Sequence, residues 1–266
     1  AYAVLDLDAA RAQAAELDRA APRGPLHGVP IAVKDVFDTA DLPTAYGSAI
    51  WAGHRPRADA AAVALARAAG AVILGYKPSF GMIPRAGMKP LAESFDTAGT
   101  LGPTVADAAL LASVAAGRAD LADPQAPEAW PVIGLLRTDW WDEAEPAQQA
   151  ALEALARALA AAGARVAELR APGIAWVNDR HSAAMAWEVA RAFAWERAAA
   201  PHLFSPKFTE ICDRGLRITP AEHAAIRADL AQACVALRAL FAGCDLVLTP
   251  SAPGEAPRGL AATGAP

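Results

Sequence analysis

The chain has 266 residues, of which 55% are hydrophobic, so it can bury a sizeable core and is not a disordered chain. Its net charge of -5 argues against a nucleic-acid-binding protein, whose phosphate contacts need a basic face. The sequence shows no apolar run of membrane-spanning length, no signal peptide and no metal-type cysteine spacing. We therefore expect a cytoplasmic protein with reduced thiols and no membrane partner.

Two local patterns open the chain. From Asp6 to Ala21 an alanine-rich, regularly charged run predicts a surface helix, which Pro22 ends. The run from Ile31 to Phe37 is rich in β-branched and aromatic residues and predicts a short strand. Gly28 and Pro30 bracket a tight turn before it.

Lys34 is the residue of most interest in this predicted strand. Because side chains alternate along a strand, Lys34 would share its face with Ala32 and Val36. A lysine among apolar neighbours is typical of a partly desolvated site. Desolvation disfavours the ammonium form and favours the neutral amine, which can act as a base. The alternative is an edge-strand lysine that blocks aggregation, and the local pattern alone does not decide between the two.

Three aspartates follow in the next loop, namely Asp35, Asp38 and Asp41. Their spacing raises a calcium hypothesis. The loop lacks the glycine-containing core and the closing glutamate of a calcium site, however, so we interpret them as turn-forming residues.

Helices and strands alternate in the middle of the chain. The pattern predicts helices over 58–69, 104–117 and 146–162, and strands over 71–74, 132–136, 165–169 and 245–248. A strand–helix–strand order gives parallel pairs crossed by a helix. The sequence therefore predicts an α/β fold, with a mixed, largely parallel central sheet covered by helices on both faces.

The stretch from Trp176 to Phe241 differs, because it predicts three helices with no strand between them. Thr219 and Glu222 form a capping box, with Pro220 at the first helical position. We interpret residues 174–242 as a helical insertion within a single domain that covers residues 1–266.

Several segments resemble the amidase signature family, and in the family's order. They include GPLHGVPIAVKD at 24–35, Thr44, Gly47 and Ser48, RADAAAVALARAAGAVILG at 57–75, YKPSFG at 76–81, IPRAG at 83–87, ESFDTAG at 93–99, IGLLRT at 133–138 and LVLTPS at 246–251. The likeness covers most of the chain, far more than one short motif.

The resemblance implies that Lys34 belongs to a Ser–cis-Ser–Lys triad. The family's Gly/Ser-rich segment, which carries both serines, would lie between Gly75 and Tyr76, and it is absent from the sequence. Either the 266 residues are pieces of a longer protein joined without gaps, or the gene carries an internal deletion. We favour the first account, because losing the centre of the sheet would ruin the core.

The chemistry that the resemblance implies is hydrolysis of a small-molecule carboxylic amide through a serine acyl-enzyme, with Lys34 as general base. This chemistry needs neither a metal nor an organic cofactor. A homodimer is one assembly that we consider for the protein. None of the seven serines lies in the G-x-S-x-G motif of other hydrolases, and Ser48 is better explained as a turn serine. His27 is likewise predicted to be a turn residue.

The resemblance also places the helical insertion over an active-site funnel. Its aromatic and methionine side chains would then shape the acyl pocket, although ordinary helix packing explains any one of them better. They are Trp176, Met185, Trp187, Phe193 and Trp195.

Two other functions stay open at this point. One is the glutamine-hydrolysing subunit of an aminoacyl-tRNA amidotransferase, which needs partner subunits to deliver ammonia. The other is a non-catalytic interaction protein, which would follow from a real deletion of the nucleophile.

Overall fold

The structure, a computed structural model, describes residues 6–73, 82–123, 129–250 and 252–254. These parts of the chain form eight α-helices: α1 Leu7–Leu17, α2 Ala61–Ala68, α3 Val105–Ala116, α4 Pro146–Ala161, α5 Ile174–Ala192, α6 Ala194–Ala199, α7 Pro206–Arg217 and α8 Pro220–Phe241. They also form five short strands: β1 Pro30–Ile31, β2 Val72–Ile73, β3 Val132–Leu136, β4 Arg165–Leu169 and β5 Leu246–Leu248.

The chain divides into two compact units. The first combines Ala1–Gln125 with Glu188–Asp213, and the second combines Ala126–Trp187 with Arg214–Pro266. Helix α5 therefore begins in the second unit and ends in the first. A single domain with a helical insertion at 174–242 stays a prediction.

The first unit is built on a parallel pair of strands. Pro30 of β1 pairs with Val72 of β2, and α2 lies in the connection between the strands, as the strand–helix–strand order predicts. Gly70 follows α2 with a φ of +92°, and a Cβ there would meet the backbone of His27. Only glycine suits such a place, because its backbone adopts positive φ without a steric penalty.

The second unit holds a three-stranded parallel sheet in the order β4-β3-β5. Leu152 and Ala156 of α4 pack on Leu135 of β3 and cover one face of this sheet. Within the described residues the strand pairs form two small parallel sheets rather than one central sheet. The predicted α/β class is confirmed.

Local capping signals predicted two helix starts correctly. The Thr104 hydroxyl accepts a hydrogen bond from the Asp107 N–H at the start of α3, and Gly117 ends that helix in the left-handed conformation. Thr219 and Glu222 form the predicted capping box of α8. These signals succeed because both partners of each bond lie within three residues.

Two predictions for single segments need correction. The strand predicted over Ile31–Phe37 is limited to Pro30–Ile31, because the chain turns at Lys34. The stretch from Trp176 to Phe241 belongs to four α-helices rather than three, because the helix is interrupted at Phe193, between α5 and α6. The Gly75–Tyr76 junction lies outside the described residues. No helix in the described parts of the chain has the length and apolar character needed to cross a bilayer.

Candidate functional site

Lys34 lies in a tight turn shortly after β1. The backbone N–H groups of Val36 and Phe37 both donate to the Lys34 carbonyl, at 2.7 and 3.1 Å respectively. The turn ends the alternation of an extended strand, so Phe37 is buried while the Lys34 side chain is exposed. Of the two surroundings that the strand pattern left open, the described residues do not give Lys34 the desolvated one, and its side chain makes no ion pair with them.

Asp35 connects this turn to the next loop. Its Oδ1 accepts a hydrogen bond from the Ala45 N–H at 2.7 Å, and its Oδ2 accepts one from the Gly47 N–H at 3.0 Å. Both carboxylate oxygens are thus bound to backbone amides on either side of Tyr46. The loop at 45–47 is held against the residue that follows Lys34.

Tyr46 has an unusual backbone and a strong side-chain partner. Its φ of 53° lies in the left-handed region, which residues with a Cβ seldom adopt. Its hydroxyl donates to Asp38 Oδ1 at 2.6 Å and lies 3.5 Å from His54 Nε2. Burial and the neighbouring Asp38 carboxylate raise the pKa of Tyr46 above its ordinary value, with Asp35 adding to the effect.

The aspartates of this loop act as anchors. Asp41 forms a salt bridge with Arg67, while Asp35 and Asp38 hold the 45–47 loop as described. These contacts agree with the turn-forming interpretation of the three aspartates. In the described parts of the chain, no three His, Cys, Asp or Glu side chains gather as a metal-binding group.

A second polar centre lies beside the Lys34 turn. The Lys89 N–H donates to the Val36 carbonyl at 2.9 Å, and the Lys89 ammonium forms a salt bridge with Glu196 of α6. Glu196 is only 3% exposed, and its Oε1 also accepts a hydrogen bond from Trp51 Nε1 at 3.2 Å. Lys89 Nζ lies 4.7 Å from the ring centroid of Phe193. A largely buried ion pair thus joins α6 to the loops around the turn.

The side chains predicted to shape an acyl pocket have separate surroundings. Trp195 is 60% exposed and lies 5.3 Å from Trp51 between ring centroids, whereas Phe193 packs edge-on against Phe208 at 5.1 Å. Trp187 stacks on His223 in the second unit, at 3.7 Å. Trp176 is exposed beside Arg180, and Met185 is half-buried.

Ser48 and His27 have the structural roles predicted for them. The Ser48 hydroxyl accepts a hydrogen bond from the Ile50 N–H and caps the short 3₁₀ helix Ala49–Trp51. His27 Nδ1 accepts a hydrogen bond from the Arg23 N–H, and its Nε2 lies 3.1 Å from the Leu17 carbonyl oxygen. Both side chains therefore shape turns.

Sequence reasoning missed the contact between Trp51 and Glu196, because 145 residues separate the two. The role of Lys89 was not predicted either, because no feature of the neighbouring sequence indicates that it pairs with Glu196. The Asp35 contacts were easier to predict from the sequence, because aspartates in loops commonly bind nearby backbone amides.

Known proteins are similar to this chain in sequence over part of its length and in fold over nearly all of it. The protein AmiD of Mycobacterium tuberculosis is 55% identical over 69 residues, which cover 26% of this chain and 14% of AmiD. A glutamyl-tRNA(Gln) amidotransferase protein of Salinispora tropica is 28% identical over 253 residues, covering 62% of this chain and 52% of that protein. The chain thus spans about half, or less, of the length of these curated relatives.

Among solved structures, a crystal structure of an amidase superposes with a TM-score of 0.88 at 24% identity. The superposition covers 98% of this chain and 76% of that one, and it shows a shared fold. The model of the Amidase family matches residues 1–76 and 73–263, which together take in nearly the whole sequence. The chain belongs to the Amidase family.

Proposed function

We propose that the protein hydrolyses a carboxylic amide to an acid and ammonia or an amine, with Lys34 as general base. A serine from the segment expected between Gly75 and Tyr76 attacks the amide carbonyl, and backbone N–H groups stabilise the oxyanion. Neutral Lys34 takes the serine proton through the cis-serine, and a proton passes to the leaving nitrogen. Water then attacks the acyl-enzyme, releases the acid and restores the serine.

The observation that carries the proposal is that two other family-like stretches, at 44–48 and 83–87, are hydrogen-bonded to the Lys34 turn or to the residues just after it. Asp35 binds the 45–47 loop, and the Asp38 N–H donates to the Gly87 carbonyl at 2.8 Å. The Lys89 N–H donates to the Val36 carbonyl within the turn. Segments far apart in sequence are thereby fixed around the residue that the family resemblance makes catalytic.

The exposure of Lys34 sets a condition on the mechanism. Burial in apolar surroundings favours the neutral form of an amine, so a lysine base needs cover from solvent. The proposal therefore requires the serine-bearing segment to cover Lys34 as well as to supply the nucleophile. One segment would then complete both halves of the site.

The test is a comparison of Lys34→Ala with Lys207→Ala in the protein that carries the serine segment. Lys207 is also exposed and serves as the matched control. With aliphatic, aryl and malonyl-type amides as substrates, we expect Lys34→Ala to lower kcat about 100-fold or more, since general bases contribute on that order. Lys207→Ala should keep the original rate, and both variants should remain folded by circular dichroism. Near-normal turnover by folded Lys34→Ala would end the proposal.

A second candidate is the glutamine-hydrolysing subunit of a tRNA-dependent amidotransferase. The similarity to the amidotransferase protein from Salinispora tropica favours it. Co-purification with partner subunits, and glutamine hydrolysis that depends on them, would select this function. Hydrolysis of simple amides by the isolated protein would select the stand-alone amidase.

A further inference from the structure

We propose that Asp35 is a positioning residue for Lys34, a role that rests on the proposed function. Asp35 is the next residue in the chain, and its carboxylate ties the Lys34 turn to the 45–47 loop. The inference concerns how Lys34 is held, not which group takes the proton.

The carboxylate of Asp35 binds a backbone donor through each of its oxygens. Oδ1 accepts from Ala45 at 2.7 Å and Oδ2 from Gly47 at 3.0 Å. Hydrogen bonds to an ionised carboxylate are stronger than those between neutral groups, and two of them fix both the position and the orientation of the carboxylate. With both oxygens engaged, Asp35 is poorly placed to accept a proton from substrate.

The loop that Asp35 binds has a conformation that needs such an anchor. Tyr46 and Gly47 have φ values of 53° and 67°, so two successive residues lie in the left-handed region. A side chain at the first of these positions is sterically disfavoured, and surrounding contacts must hold it there. Asp35 holds the flanking amides, and Asp38 binds the Tyr46 hydroxyl.

The backbone of the turn is fixed on its other side as well. The Lys34 carbonyl accepts from Val36 and Phe37, and the Val36 carbonyl accepts from Lys89. The residue after Lys34 is therefore held through its side chain and through the peptide groups that follow it. Together these bonds fix the direction in which the Lys34 side chain leaves the turn.

The experiment compares Asp35→Asn with Asp8→Asn, an exposed aspartate on α1 that serves as the control. Asparagine has the size of aspartate, but its NH₂ group would face a backbone N–H, so one of the two bonds is lost. We expect kcat for amide hydrolysis to fall about tenfold or more with KM within about twofold, because small displacements of a catalytic group are costly. Asp8→Asn should match the original protein.

A second measurement does not depend on turnover. Trace acetylation followed by peptide mass spectrometry gives the reactivity of Lys34 relative to Lys207 in the same molecule. We expect Asp35→Asn to change this ratio about threefold or more, because the amine would leave the turn in a different direction. Asp8→Asn should leave the ratio unchanged. If Asp35→Asn does not fold, Asp35→Ser is tested instead. It removes the same contacts and does not place a side-chain NH₂ group against a backbone N–H.

The outcomes separate the two proposals. A changed ratio in a protein that lacks amide turnover would support the positioning role and overturn the proposed function. An unchanged ratio overturns the positioning role whatever the turnover. Full kcat in folded Asp35→Asn also overturns it, even if the ratio changes.

Discussion

At the scale of single residues, the loop after Lys34 shows how carboxylates stabilise an irregular backbone. Asp35 binds two amides, Asp38 binds the Tyr46 hydroxyl, and Asp41 binds Arg67. Asp35 and Asp38 bind partners within the loop, whereas Asp41 shares Arg67 of α2 with Asp59. The Asp35 and Asp38 contacts surround the left-handed backbone at Tyr46.

Tyr46→Phe tests the contribution of the Tyr46 hydroxyl. The variant keeps the ring, which packs edge-on against Trp51 at 5.5 Å, but loses the bond to Asp38. We expect the free energy of unfolding to fall by about 1.5–3 kcal/mol at pH 7, since a hydrogen bond to a charged group contributes that much. Urea unfolding of both proteins measures the difference.

The same pair of proteins should show a specific pH dependence. Because the folded state raises the pKa of Tyr46, its hydroxyl stabilises the fold fully below the unfolded pKa of about 10. As the pH rises further, tyrosine in the unfolded chain ionises and this stabilisation is lost. We therefore expect the difference in Tm between the original protein and Tyr46→Phe to shrink above about pH 10. A difference that stays constant across that pH would contradict the Tyr46–Asp38 contact.

At the scale of elements, local signals in the sequence predicted structure well. The caps at Thr104 and Thr219 and the strand Val132–Leu136 are encoded by neighbouring residues, and the structure confirms them. The strand through Lys34 failed because alternation presupposes an extended backbone and carries no sign of the turn. The pair of Lys89 and Glu196 was out of reach, because only the fold brings these residues together.

The Lys89–Glu196 pair predicts a cost for breaking one partner. Glu196→Gln removes the negative charge and leaves the Lys89 ammonium, which is only partly exposed, without an ionic partner. We expect a loss of about 2 kcal/mol in the free energy of unfolding, less than a fully buried pair would lose. Glu210→Gln, at an exposed position on α7, is the control and should change stability by less than about 0.5 kcal/mol.

A double variant separates the charge from the packing. Lys89→Met with Glu196→Gln leaves no unpaired charge at this place, and methionine fills a similar volume beside Phe193. We expect it to recover most of the stability lost in Glu196→Gln, because a buried ion pair is often replaceable by apolar groups. Equal losses in the single and double variants would show that charge pairing is not what holds α6 at this place.

At the scale of the whole molecule, the family match and the missing serines bear on the same junction. The family model matches in two segments that overlap at residues 73–76. The alignment with the Salinispora tropica protein extends over 253 residues but uses only 62% of this chain of 266. That relative therefore carries additional residues inside the matched region. Both observations agree with a segment that is missing from within the chain.

We predict that the gene encodes further residues between Gly75 and Tyr76, among them two serines in a Gly/Ser-rich stretch. The physical reason is that Lys34, exposed as it is, needs both a nucleophile and cover from water to act as a base. Sequencing across the junction, together with the mass of the protein purified from its own organism, measures this directly. A gene that reads from Gly75 straight into Tyr76 would leave the chain without its nucleophile, and would favour a non-catalytic interaction protein over an amidase.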